Sequence, residues 1–271
     1  MKKFLSFVLF LSLMSATFTG CKHKNKGVPP VLSSVETMLI DFSDFTITSG
    51  FTGNSFNVKG IVSNWEYAAG IVSDWRTLTA VTLSTPIALY EVAFDRQPSH
   101  VSGNKWEWSY NVNVSAMQYK VRLTGEISGS QVKWEMYVSR DGSGGVYEFK
   151  WLEGTSNTDG NNGSWTFYES YDSQTALLQI DWTKLGTKVE KIKYVYLKSG
   201  YSKDAYIEYG SATGGYDFYY EVHYYNTLLG RPSDARIEWN KSSKAGRIRS
   251  ADYLLDEWQC WDSQRIDVVC N

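Results

Sequence analysis

Residues 105–138 read KWEWSYNVNVSAMQYKVRLTGEISGSQVKWEMYV. Trp106, Trp108, Tyr110, Val112 and Val114 alternate with Lys105, Glu107, Ser109, Asn111 and Asn113. Met117, Tyr119, Val121, Leu123 and Ile127 then alternate with Gln118, Lys120, Arg122, Thr124 and Glu126, and Val132, Trp134, Met136 and Val138 repeat the pattern. Successive side chains of a strand point to opposite faces. A period of two with one greasy and one charged row therefore describes antiparallel strands, half-buried against another layer.

Downstream the pattern hardly stops. Strands are expected at 146–155, 163–171, 175–184, 188–198, 204–210, 216–225 and 235–240, with one to three more between Gly246 and Cys270. Turn chemistry separates them at Gly125 to Gly129, at the run 141–145, at Asp159-Gly160-Asn161-Asn162-Gly163 and at Gly214-Gly215. Pro29, Pro30, Pro86, Pro98 and Pro232, the five prolines, fall outside these segments. A long hydrogen-bonded ladder requires this, because each Pro deletes a donor. Short connections between successive strands describe an up-and-down meander of about ten to twelve strands. So many strands cannot stay flat and must curl, close or split.

The greasy face needs a cover, and residues 31–98 supply it. Val31, Val35, Met38, Leu39 and Phe42 follow Pro29-Pro30 at helical spacing. Ser49 to Asn54 reads as a loop. Ile61, Trp65, Ala68, Val72 and Trp75 form one apolar stripe over four turns. Within it GIVSNW at Gly60–Trp65 recurs as GIVSDW at Gly70–Trp75. The ten-residue offset puts the copies about 80° apart round a helix, so they make different contacts. Thr85-Pro86 reads as an N-cap and first-turn proline opening a further helix through Phe94. The expected fold is α+β: N-terminal helices packed against one long, strongly curved antiparallel meander, open or nearly closed. Residues 31–271 then form a single domain, mainly helical over 31–98 and sheet over 103–271. The alternative is a closed barrel whose helices cap one end. In element order alone this layout resembles the half-barrel of periplasmic lipoprotein carriers.

Residues 1–20 stand apart from that domain. Met1-Lys2-Lys3 is a short positive segment and Phe4 to Ala16 an apolar one, too short for the usual membrane helix of about 20 residues. Thr17-Phe18-Thr19-Gly20-Cys21 follows. It resembles the lipobox of bacterial lipoproteins, with small Gly20 before the cysteine and Phe18 where Leu is usual. The resemblance implies a signal peptide over 1–20, lipid attachment at Cys21 and a membrane-anchored protein in the periplasm or at the cell surface, at the outer membrane. Residues 21–30, ending KHKNKGVPP, then read as the lipidated tether. Cys260 and Cys270 remain as an even pair, suited to a disulfide across the last hairpin; two buried thiols are the alternative. Without residues 1–20 the net charge moves from −2 to −4, which gives nucleic acid no basic footprint.

No catalytic constellation stands out, and neither a cofactor nor a metal is expected. Lys105/Glu107, Lys133/Glu135 and Glu148/Lys150 place a base beside every acid, as solubilising pairs do. Asn157-Thr158-Asp159-Gly160-Asn161 has alternate oxygens but its glycine and closing residue are misplaced for a calcium loop. Gly142-Ser143-Gly144 lacks the full nucleophile-elbow spacing. His223 shares a face with Glu221, Tyr219 and Tyr225, as in a wet strand face. The aromatics are the remaining candidates. Trp106, Trp108, Trp134, Trp65 and Trp75 are core if the helices fill the curve, and line an apolar pocket if they fill it partly. The expectation is a non-enzymatic binding protein for a lipid-like or other apolar ligand. The alternatives are an assembly component contacting another envelope protein, or a surface glycan-binding module.

Overall fold

The computed structural model describes residues 27–47, 62–140 and 145–270. The signal segment, Cys21, the loop 49–54, Gly60-Ile61 and Gly142-Ser143-Gly144 lie outside the described residues. The first half of the sheet comprises β1 (Ser99–Ser102), β2 (Lys105–Val114), β3 (Met117–Ser128), β4 (Gln131–Arg140), β5 (Val146–Asn157), β6 (Asn162–Tyr168) and β7 (Ala176–Leu185). The second comprises β8 (Lys188–Tyr196), β9 (Tyr206–Ser211), β10 (Phe218–Asn226), β11 (Arg231–Trp239), β12 (Gly246–Ser250), β13 (Gln259–Trp261) and β14 (Asp267–Val268). Every strand pairs with its sequence neighbours, antiparallel, in one 14-stranded sheet. Its edges are β1 and β14, and among the described residues it does not close into a barrel.

The count exceeds ten to twelve because short edge strands are too brief to show a period in sequence. Pro232, expected outside the ladder, lies in β11 opposite Tyr225. There β11 is paired on one side only, since its pairing with β12 begins at Ala235, and a missing donor is tolerated at such an edge.

Among the described residues one α-helix, not several, covers the concave face. α1 runs Asn64–Glu91, and Ser63 caps it with a reciprocal box: Ser63 Oγ accepts from Glu66 N at 3.2 Å, and Glu66 Oε2 accepts from Ser63 N at 2.8 Å. Thr85-Pro86 does not open a second helix; Pro86 sits inside α1. The ring removes the donor to the Thr82 carbonyl, a fault of about 3 kcal/mol in an exposed helix. Burial of Leu83, Ile87, Leu89 and Tyr90 around it outweighs that loss. The expected helix after Pro29-Pro30 is also corrected. Residues 27–47 form an extended arm with two short 3-10 turns, Val35–Met38 and Ser43–Phe45. Met38, Ile40 and Phe42 are buried while Leu39 and Asp41 are exposed, so the true period there is two.

Arm and helix cross the strands. The sheet meets the arm at Thr37 from β6, at Met38 and Ile40 from β8, at Asp41 from β10 and at Asp44 from β11. The helix returns across the same face. Its start is tied to the last hairpin and to the β12–β13 connection before it: Asn64 Nδ2 donates to the Cys260 carbonyl at 2.8 Å, Asn64 N donates to Asp267 Oδ1 at 2.8 Å, and Tyr253 Oη donates to Asn64 Oδ1 at 2.9 Å. Its end meets β2, where Tyr110 Oη donates to the Leu89 carbonyl at 2.7 Å. A 28-residue helix is about 40 Å long. The eleven interstrand steps from β2 to β13 span about 53 Å of sheet at about 4.8 Å each. A chord that much shorter than its arc requires strong curvature.

Inward-facing glycines make room for that curvature. Gly125 pairs with Trp134, Gly154 with Trp165, Gly163 with Trp182 and Gly246 with Trp261. A Cβ at Gly125 would lie 2.6 Å from the Trp134 ring and 2.9 Å from Pro30, so the indole lies against bare backbone beneath the arm. Cys260 and Cys270 are bonded, with sulfurs 2.11 Å apart. The register sets Cys260 opposite Val268, so Cys270 reaches it from just beyond β14 and not from a facing position.

Candidate functional site

A cleft opens between α1 and the ends of β8, β9 and β10, with a volume of about 280 Å³. The helix contributes Asp74, Trp75 and Leu78, neighbours along one wall. Tyr196, at the end of β8, and Tyr224 and Tyr225, near the end of β10, form the opposite side. Ser202 and Ala205 from the β8–β9 loop complete the rim.

The loop is fixed by its own backbone. Tyr196 N donates to the Ala205 carbonyl at 2.8 Å, and Asp204 N donates back to the Tyr196 carbonyl at 2.9 Å. Tyr201 stacks on Tyr225 with ring centres 4.9 Å apart, folding the loop over the end of β10. Tyr224 is anchored from behind: its hydroxyl donates to Asp252 Oδ2 at 3.2 Å. Asp252, whose side chain is 2% exposed, also accepts from Asn226 Nδ2 at 2.8 Å and Arg231 Nη2 at 2.6 Å. That carboxylate is held by three donors and is structural.

Asp74 differs. It keeps access to solvent, yet the surrounding protein pushes its carboxyl pKa upward by desolvation. Among the described residues it has no hydrogen bond and no ion pair. It is also the one position at which the two six-residue copies differ. In the first copy Asn64 is the buried tie to the last hairpin; in the second Asp74 stands in the cleft.

Of the five tryptophans singled out in sequence, Trp75 lines this cleft. Trp65 stacks on Phe45 at 6.5 Å beneath the Arg265 guanidinium. Trp108 and Trp134 pack together at 5.9 Å, and Trp134 Nε1 donates to Ser156 Oγ at 3.0 Å. Trp106 meets His100 edge-on at 5.2 Å. The fold does not bring these five to one place.

The other candidates are engaged elsewhere. Asn157 Oδ1 accepts from Asn161 N and Asn162 N at 3.0 Å each, so the calcium-like loop spends its oxygens on its own turn. Among the described residues no group of three His, Cys, Asp or Glu could hold a metal ion. His223 Nδ1 lies 2.7 Å from Asp234 Oδ1, and its ring stacks on Tyr206. Lys133 pairs with Glu135 at 3.1 Å as expected, but Glu148 pairs with Arg122 at 2.8 Å and Lys150 with Glu153 at 2.6 Å. A β-bulge at the Met136–Tyr137 step adds one residue to β5 at Trp151, which brings Lys150 and Glu153, three apart in sequence, onto one face. Larger hollows lie elsewhere. One of about 490 Å³ is lined by charges such as the paired Glu221 and Arg236. One of about 610 Å³ is lined by Tyr137, Tyr147, Phe149 and Tyr171 beside Glu148 and Lys150, which Arg122 and Glu153 pair.

No known protein family, no curated protein and no solved structure matches the chain.

Proposed function

We propose that this chain is an exported, lipid-anchored, non-enzymatic binding protein that takes a small ligand in the cleft between α1 and β8–β10. Residues 1–21 support the anchoring, through the lipobox-like run ending in Cys21. The binding half rests on one observation: a cleft of about 280 Å³ opens beside Asp74, an acid with no partner among the described residues, at the margin of a concave face that arm and helix fill for most of its extent. That volume is at the small end for ligand sites. The ligand is accordingly compact, and a long acyl chain has no room along the filled curve.

Two measurements test the two halves. Cys21→Ala should release the protein from membranes into the soluble fraction, and unchanged membrane retention overturns lipidation. Native mass spectrometry of the gently purified protein should find a small adduct that Ser202→Trp, a change at the exposed rim, displaces. An adduct retained in equal amount by Ser202→Trp removes the cleft as its site.

A further inference from the structure

We infer that the cleft is built for an alkylammonium ion, with Asp74 as counter-charge and Trp75, Tyr196 and Tyr225 as the surrounding π faces. This rests on the cleft being the binding site. The protein supplies its own contrast. Several rings elsewhere are matched to the protein's own cations: Lys193 Nζ lies 3.7 Å from the Tyr206 ring centre, the Arg236 guanidinium 3.7 Å from Tyr219, and that of Arg265 3.9 Å from Trp65. Outer-face acids are matched likewise, as Glu238 is to Arg247 at 2.6 Å. In the cleft the rings and the acid are present and the cation is missing. Among the described residues no Lys or Arg lies over Trp75, Tyr196 or Tyr225, and none lines the cleft.

The chemistry selects among cations. A calcium or magnesium ion needs six or more oxygens, and the cleft offers one carboxylate. A guest that carries its charge on a carbon-clad nitrogen needs little more than one counter-charge, with aromatic faces replacing its weak hydration. The hydroxyls of Ser202 and Tyr196 leave room for a polar tail. A negative ligand would meet Asp74 at close range, and a neutral one would strip part of its hydration without returning a counter-charge.

Titration calorimetry on the full chain in mild detergent decides this with four probes: choline, its uncharged isostere 3,3-dimethylbutanol, the anion isovalerate, and the water-soluble headgroup ester glycerophosphocholine. Choline should bind, the isostere and the anion should not, and Asp74→Asn should weaken choline by at least about tenfold while thermal unfolding stays unchanged. Binding of glycerophosphocholine together with choline assigns a lipid headgroup as the source; binding of choline alone assigns a free ammonium compound. Equal binding of choline and its isostere, or choline binding indifferent to Asp74→Asn, overturns the cation and leaves the cleft as a site. If none of the probes binds and native mass spectrometry finds no adduct, both readings fall together.

Discussion

At the scale of single residues, the aromatic face owes its composition to what it covers. An extended arm carries backbone and side-chain polar groups that no neighbouring strand satisfies, and a purely aliphatic face would leave them orphaned. Indole and phenol rings bring a greasy body and a polar tip together. Trp165 Nε1 accordingly donates to Thr37 Oγ1 at 3.1 Å, Tyr220 Oη to the Asp41 carbonyl at 2.7 Å and Trp239 Nε1 to Asp44 Oδ2 at 3.0 Å. From the helix side Tyr90 Oη donates to the Ser33 carbonyl at 2.9 Å. Tyr194 does most: its hydroxyl donates to the Met38 carbonyl and accepts from Ile40 N, both at 2.8 Å, in a fully buried setting. Tyr194→Phe orphans two buried backbone groups at once and should cost about 2–4 kcal/mol in urea unfolding. Tyr220→Phe breaks a single, partly solvated bond and should cost about 1 kcal/mol. Equal losses in the two variants would refute the account of the arm as a strip fastened by phenols.

At the scale of elements, curvature depends on glycine facing tryptophan across the ladder. Gly125 is the clearest case because both obstacles to a side chain are side chains themselves, the Trp134 ring and Pro30 of the arm. Gly125→Ala should destabilise the fold by about 1–3 kcal/mol through overpacking. Equilibrium denaturation checks this, and a change near zero would mean that the indole moves aside freely. The strands themselves were legible because alternation over about ten residues has no other reading, and the turns carried Gly and Asn where tight turns need them. The Gly–Trp pairs were not, since partners such as Gly154 and Trp165 meet only once register is set. Helix and arm were confused for a physical reason. Met38 and Phe42 are four apart, a spacing that suits one helix face and one strand face equally, and only Leu39 turned outward at 48% exposure separates them. Asp74 and Asn64 were visible as the single difference between two copies. Their opposite fates follow from the sheet, which buries the first turn of α1 under the last hairpin and leaves the third beside an open rim.

At the scale of the whole molecule, arm, helix and sheet share one core, and phenols are spread through it. Tyr67, Tyr90, Tyr110, Tyr194 and Tyr220 are each at most 8% exposed, and desolvation is the leading cause that raises the pKa of every one. An unfolded tyrosine ionises near pH 10. Below that value both folded and unfolded chains hold these protons, so the phenols contribute no pH dependence. Above it the unfolded chain releases protons that the folded chain retains, and stability must fall as pH rises. Each such group contributes a slope of about 1.4 kcal/mol per pH unit, so five acting together would remove about 7 kcal/mol per unit. A domain with an ordinary stability of about 5–15 kcal/mol should therefore unfold cooperatively within about two units above pH 10. Phenolate absorbance and far-ultraviolet circular dichroism, followed together on raising the pH, should show one sharp step in which the buried phenols ionise as the sheet is lost. A gradual titration of all the tyrosines with the circular dichroism unchanged would mean that the rings are open to solvent and that the concave face is not the filled core from which the cleft is set apart.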